Sequence, residues 1–238
     1  MSIQYDNNRN DGFGGQYMGI ISIYCYCLTL GGEYIHKNIK YILSESSINH
    51  DHNKDNNNNK LLTKINELIG IPENKNISNN IKTHILSVYL NPDKYFTDNN
   101  LDVIKQYYKG YKNTLNQISI HIRRGNVNNH SYPERYTSNQ RYIDIINILL
   151  KKYEYNIFIY SEGETSDFND LLLNDRIKLK LNEDIVKTHT ELVNSKILVI
   201  SKSTFSYSSA LLNNNIVYTI YSNEINWCHK NLSKWIYI

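Results

Sequence analysis

From residue 117 onward, apolar and polar positions fall into a repeating rhythm. Ile118, Ile120 and Ile122 alternate with Ser119 and His121, the period of a short strand. Residues 139–152 then carry Ile143, Ile146, Leu149 and Leu150, spaced as on a helix packed against a sheet. Further strands are predicted over 157–160, 177–181, 197–200 and 216–220, with helices over 167–173, 185–195 and 205–212. Strands alternating with helices at this spacing build a parallel sheet wound by right-handed crossovers. Ligands of such sheets sit at the carboxyl ends of the strands. That rule singles out the segments following Ile122, Tyr160 and Ile200.

The first half is less regular. A short strand is predicted over 2–5, followed by a glycine-rich turn, Asp11-Gly12-Phe13-Gly14-Gly15-Gln16. Residues 17–30 read as a helix buried on most of its surface and stopped by Gly31-Gly32. A strand is predicted over 33–36, helices over 61–69 and 98–109, and a strand over 84–90. Residues 49–60, with four consecutive asparagines, read as a solvated loop. The expected organisation is an α/β chain with a smaller α/β N-terminal lobe over 1–115. A Rossmann-like nucleotide-binding lobe follows over 116–238.

Composition changes the weight of single residues. The 238-residue chain has 21 Tyr against 5 Phe and only 3 Pro, and Asn, Ile and Lys abound. These residues have A/T-rich codons, so one Asn, Lys or Tyr carries little functional signal here. With 40% hydrophobic residues the chain can build a core, and its mean hydropathy of -0.54 reflects Asn- and Lys-rich loops. A net charge of +3 and a pI near 8.5 suit a protein with one anion pocket. They are too small for a surface that coats nucleic acid, and no nucleic-acid-binding motif is present.

Cys25, Cys27 and Cys228 give neither a disulfide framework nor zinc spacing. The first eleven residues lack a signal-peptide core. The most apolar stretch, 19–30, is shorter than the roughly 20 residues that span a bilayer. The expectation is a soluble, cytoplasmic protein without a transmembrane segment. In so Asn-rich a chain the sequons Asn76-Ile77-Ser78 and Asn231-Leu232-Ser233 then carry little weight.

Three segments could carry chemistry. His121-Ile122-Arg123-Arg124-Gly125-Asn126 delivers two arginines to a strand end, where a glycine lets the chain turn close to a ligand. The planar fork of arginine matches the oxygens of a pyrophosphate. Ser201-Lys202-Ser203-Thr204-Phe205-Ser206 lies between a strand and a helix, where hydroxyls and free N–H groups cap the helix and can hold an anion. Ser161 and Glu162, in Tyr160-Ser161-Glu162-Gly163-Glu164, could face a base or ribose; a polar loop is the plainer reading. Arginines after one strand and a Ser/Thr cap after another together predict a diphosphate site assembled from two loops. Neither a P-loop nor the third glycine and following acidic residue of a dinucleotide fingerprint is present.

These residues resemble a family. The segment 121–126 is similar to the H-x-R-R-x-D signature of the α-1,2-, α-1,6- and protein O-fucosyltransferase superfamily. The segment 201–206 resembles its late S-x-S-T-F-S motif, and Gly12-Phe13-Gly14-Gly15-Gln16 its opening G-x-G-N-Q turn. All three occur in the expected order. The resemblance implies a two-lobed GT-B-like fold, inverting transfer without a metal ion, and GDP-fucose as donor to a glycan or glycoprotein acceptor. It implies that Arg123 binds the β-phosphate and is catalytic, that His121 and Arg124 support the site, and that Ser203 and Thr204 bind phosphate oxygens. Gly125, Asn126, Phe205, Ser206, Gly14, Gly15 and Gln16 complete the implied donor set. Asn126 replaces the usual Asp and Gly15 the usual Asn, and the chain is short for the family.

The sequence contains no Asp-x-Asp pair, the element with which many glycosyltransferases hold a divalent ion. No metal site and no cofactor beyond the donor sugar are expected. An inverting transfer wants a carboxylate or histidine near the acceptor hydroxyl; Asp11, Glu33, His36 and Glu134 are candidates, with His36 put first as the catalytic base. His189 is expected to be exposed, although it could approach the base. Two alternatives stay open. One is another NDP-sugar donor, and the other is a degenerate domain that binds nucleotide or glycan without turnover.

Overall fold

The computed structural model describes residues 2–4, 11–42, 54–74, 79–80, 84–222 and 229–238. Tyr5, residues 49–53 of the expected loop, the sequon at 76–78 and Cys228 lie outside these. The chain divides into two compact units, 1–111 with 228–232, and 112–227 with 233–238.

The first unit carries a three-stranded parallel sheet in the order β2-β1-β3, from β1 (Ser2–Gln4), β2 (Glu33–Ile35) and β3 (Asn79–Asn80). Helix α1 (Phe13–Leu30) is its spine. Residues 13–23 and 25–27 are buried apart from Tyr24 at the margin, so this helix has no solvent face along most of its length. Gly31, at φ 66°, ends it in the left-handed cap that a glycine adopts without steric cost. Around it pack α3 (His84–Leu90), α4 (Pro92–Tyr95) and α5 (Asp98–Lys105). The thiols of Cys25 and Cys27 are buried, and burial raises both, Cys27 to about 11.

Three expectations for this unit are corrected. The glycine-rich turn is largely the first turn of α1: Phe13, Gly14, Gly15 and Gln16 are helical and buried. The asparagine-rich stretch is helical from residue 54, because α2 (Lys54–Ile69) is anchored by Ile65, Leu68 and Ile69 further along. Residues 84–90 form α3 rather than a strand; Ile85 and Val88, three apart, are buried while Leu86 and Leu90 stay exposed.

The second unit is a six-stranded, wholly parallel sheet. Its strands are β4 (Leu115–His121), β5 (Asn156–Ser161), β6 (Ile177–Leu181), β7 (Ser195–Ile200), β8 (Ile216–Thr219) and β9 (Ile236–Tyr237). They lie in the order β6-β5-β4-β7-β8-β9. Helices α6 (Asn139–Lys152), α7 (Ile185–Asn194) and α8 (Thr204–Leu212), with a 3-10 turn over Thr165–Leu171, supply the connections. The expected strands and helices recur within a few residues. The expected second helix is the 3-10 turn, and β9 is an addition. Ile118, Ile120, Ile157, Ile159, Ile197 and Val199 are fully buried, each worth about 1.5–3 kcal/mol of transfer free energy.

The order fixes where a ligand can sit. From β4 the chain winds outward through β5 and β6, then returns to place β7 on the other side of β4. Helices leave the two strands in opposite directions, which opens a crevice at their carboxyl ends. Among the described residues, no helix is long and apolar enough to cross a membrane.

Candidate functional site

The segments singled out in the sequence leave the two strands that flank this reversal. Arg123–Asn126 follow β4, and Ser201–Thr204 follow β7 into α8. The strand ends are pinned together by a bond from the buried ring of His121, whose Nδ1 lies 2.8 Å from Ser201 Oγ. Farther down, Ser195 Oγ donates to Ser119 Oγ at 2.6 Å. The polar positions in the second half of β4, Ser119 and His121, are therefore buried and satisfied from its neighbour. Burial, with the charge of Arg123 as a smaller cause, lowers the His121 pKa to about 3. The ring is neutral at physiological pH and acts as a hydrogen-bonded strut.

Arg123 is the centre of a built cluster. Nη1 forms an ion pair with Glu162 Oε2 at 3.1 Å, and Nη2 donates to Asn126 Oδ1 at 2.5 Å. Gly125, at φ 72°, turns the loop in the left-handed region, and a Cβ there would collide with Glu162 Oε2. Asn126, which replaces an acid in the resembled signature, still holds the arginine, now through a neutral amide. Glu162 meets the guanidinium rather than presenting a free carboxylate. Ser161 is a backbone tie: its hydroxyl donates to Ile122 O at 2.9 Å.

Arg124 turns the other way. It donates to Asn139 Oδ1 at 2.7 Å and to the carbonyl of Arg123 at 3.0 Å, and its guanidinium lies 4.6 Å from the centre of the Tyr136 ring. Asn139 in turn donates to Asp167 O and Asp170 Oδ1. The second arginine thus fastens α6 and the 3-10 turn beneath the loop, which is a supporting role.

At the end of β7, Ser203 caps α8, its Oγ accepting from Phe205 N–H at 3.3 Å. Ser206 is fully buried, its hydroxyl lying 3.3 Å from Ser203 O and 3.4 Å from Ser201 O, and the Ser201 N–H donates to its oxygen at 3.3 Å. The Phe205 ring packs between His121 and His189, at 5.4 and 5.5 Å. Thr204 is half-buried at the first helical position. Lys202 donates to the carbonyl of Glu134 at 2.8 Å, and burial lowers its pKa. The sequence reading passed over Lys202 because one lysine in this composition carries little signal.

Asp11, Gly15, Gln16, Glu33 and His36 belong to the first unit, and Glu134 and His189 to the second. Gly12 N–H donates to Asp11 Oδ1 at 2.9 Å. A Cβ at Gly15 would meet the Asp11 carboxylate, so a larger residue there requires that side chain to shift. Gln16 is buried, its amide nitrogen donating to Asp11 O at 3.0 Å and Tyr41 O at 2.5 Å. His36 is 1% exposed, with Nδ1 3.1 Å from the hydroxyl of Tyr34. Its pKa is lowered by burial, against the pull of Glu73, to about 4. As placed, it faces protein and not solvent. Glu33 and Glu134 are exposed. His189, expected at the surface, is fully buried against Ser208 Oγ and Phe205, and burial lowers its pKa to about 3. Among the described residues no group of three or more His, Cys, Asp or Glu is placed to hold a metal.

No protein-family model and no curated protein matches the chain. Solved structures do. The heptosyltransferase WaaC of E. coli, solved with ADP-2-deoxy-2-fluoro heptose, is similar with a TM-score of 0.51 at 7% identity, over 100% of this chain and 93% of that one. POFUT1 aligns over 90% of this chain and 95% of its own, with a TM-score of 0.48 at 11% identity. The fucosyltransferase NodZ from Bradyrhizobium aligns over 89% and 92%, with a TM-score of 0.37 at 10% identity. The match to the heptosyltransferase runs through both units and establishes the fold as that of the GT-B glycosyltransferases. At such identities the likeness is one of fold.

Proposed function

We propose that this protein is a glycosyltransferase that moves a sugar, fucose first among the candidates, from a GDP-sugar to a glycan or protein acceptor. The observation that carries the reading is the place of Arg123. It stands at the carboxyl end of β4, where the strand order reverses, one strand from the N-terminus of α8. In an inverting transfer the acceptor oxygen bonds to the anomeric carbon as its bond to the diphosphate breaks, and the acceptor proton passes to a base. The charge that develops falls on the departing diphosphate. Arg123 and the main-chain N–H groups at the N-terminus of α8 stabilise it without a metal ion. The base is left unassigned, since His36 faces Tyr34 and neither Asp11, Glu33 nor Glu134 is singled out by its surroundings.

A second reading keeps the chemistry and changes the donor to another NDP-sugar. It is favoured by the heptosyltransferase, whose structure holds an ADP-sugar; the fucose reading rests on the three sequence motifs. Calorimetric titration with GDP, UDP and ADP, with and without chelator, tests both on wild type and Arg123→Ala. The first reading expects GDP alone to bind, independently of chelator, and to be lost in the variant. A preference for UDP or ADP would move the assignment to the second. Absence of binding by all three would overturn both in favour of a non-catalytic domain.

A further inference from the structure

Glu162 lies 39 residues from Arg123 in sequence and on the neighbouring strand end, yet its carboxylate is aimed at the guanidinium by a loop with little freedom. Before it, Ser161 Oγ donates to Ile122 O at the end of β4. After it, the Gly163 peptide is clamped on both sides by one amide: Gly163 N–H donates to Asn182 Oδ1 at 3.1 Å, and Asn182 Nδ2 donates to Gly163 O at 2.9 Å. Asn182 N–H also donates to Ser161 O at 3.0 Å. Asn182 holds this pose at φ 53°, the only non-glycine residue with positive φ among those described. Asparagine enters this region more readily than most residues, and here its side chain and main chain both hold the Ser161–Gly163 backbone. One residue further, Glu164 and Asp167 close a reciprocal capping box on the 3-10 turn.

On the other side of the contact, the left-handed Gly125 clears the path through which Glu162 Oε2 reaches the arginine. Two loops are thus shaped around one ion pair. A carboxylate that merely occupied an empty phosphate site would not require a doubly clamped backbone behind it. We infer that Glu162 is a positioning residue, holding the guanidinium of Arg123 in the pose that meets the donor diphosphate, with Asn182 as its brace. This inference rests on the reading of Arg123 as the diphosphate cation. It assigns Glu162 to the arginine and not to the base or ribose.

The test compares wild type, Glu162→Ala, Glu162→Gln and Asn182→Ala by two readouts. The first needs no ligand: the side-chain 15N relaxation of Arg123. An ordered guanidinium is expected in wild type and in Glu162→Gln, whose amide oxygen still accepts from Nη1, and a mobile one in Glu162→Ala. The second is GDP titration. Glu162→Ala should weaken binding about tenfold, the scale of one charge-assisted hydrogen bond. Glu162→Gln should stay within about threefold, and Asn182→Ala should fall between them. Equal ordering of Arg123 in Glu162→Ala and wild type would overturn the inference, as would tighter GDP binding by Glu162→Ala, which is the behaviour of a competing carboxylate. If wild type binds no nucleotide while Arg123 still loses order in Glu162→Ala, positioning stands and the glycosyltransferase reading falls.

Discussion

At the carboxyl end of β4 the chain carries its charge on side chains: Arg123 is held by Glu162 and Asn126 above a left-handed glycine. At the carboxyl end of β7, one strand over, the same kind of sequence signal has been spent differently. The Ser203 hydroxyl caps α8 and that of Ser206 bonds within the turn, so what this end offers a ligand is main-chain N–H at a helix N-terminus. The comparison separates two ways of meeting an anion. One is a mobile charge that needs other residues to aim it. The other is a dipole fixed by the fold, whose hydroxyl residues act as scaffolding. Substitutions at the two ends should therefore differ in kind: binding should suffer at β4 and stability at β7.

The largest effect is expected at Arg123. Removing one donor of charge to a transition state costs roughly 2.7–4 kcal/mol, so Arg123→Ala should lower turnover of the donor by about a hundredfold or more. Its Tm should fall only slightly, because the Glu162 and Asn126 side chains it leaves can turn to solvent, Glu162 being 42% exposed. Assay of GDP-fucose hydrolysis alongside thermal melting checks both halves. A folded Arg123→Ala protein with near-wild-type turnover would remove the side-chain half of the comparison altogether.

Arg123 shows how far the sequence could be read. Strand periodicity and the rule for parallel sheets located the β4 and β7 ends from isoleucine spacing alone, and the hydroxyl-rich cap was recognisable as a cap. The Arg123–Glu162 pair was not legible. It depends on β5 lying beside β4 and on a glycine in the left-handed region, and neither can be seen in a local window. Arg124, expected to support the site, lies beneath the loop on Asn139, a partner that no local window reveals. In the first unit, α2 hid its start in a run of asparagines, which are weak helix formers. The β-branched and aromatic residues of 84–90 imitated a strand. Two-residue β9, exposed at both positions, left no periodic trace.

The bridge between the two strand ends offers the next test. His121 stays neutral in the folded protein down to about pH 3, whereas in the unfolded chain it takes a proton near its ordinary value of about 6.5. Above that value neither state is protonated and the contribution to stability is complete. Below it the unfolded chain binds a proton that the folded chain refuses, so stability falls as pH drops towards 3. His189 behaves alike to about 3, and His36 to about 4. Each should cost about 1.4 kcal/mol per pH unit inside its window. Denaturation at pH 7 and pH 5 should show the summed slope of the three, and His121→Asn should lower it by about a third. An unchanged slope in the variant would mean that the strut is not a buried neutral imidazole.

The smallest effect belongs to the cap of α8, and it sharpens the contrast from the other side. Ser203 accepts from Phe205 N–H, and no bond from its hydroxyl to the β4 loop is seen among the described residues. Loss of such a cap costs about 1 kcal/mol of stability. The N–H groups that would meet a phosphate belong to the backbone and survive the substitution. Ser203→Ala should therefore lower Tm by a few degrees, roughly 2–4 °C for a chain of this size, while GDP affinity stays within about twofold at temperatures where the protein is folded. Chemical denaturation and calorimetry on one sample separate the two quantities. If GDP affinity instead falls as far as in Arg123→Ala, the Ser203 hydroxyl itself reaches the phosphate, and the two strand ends meet the anion by the same means.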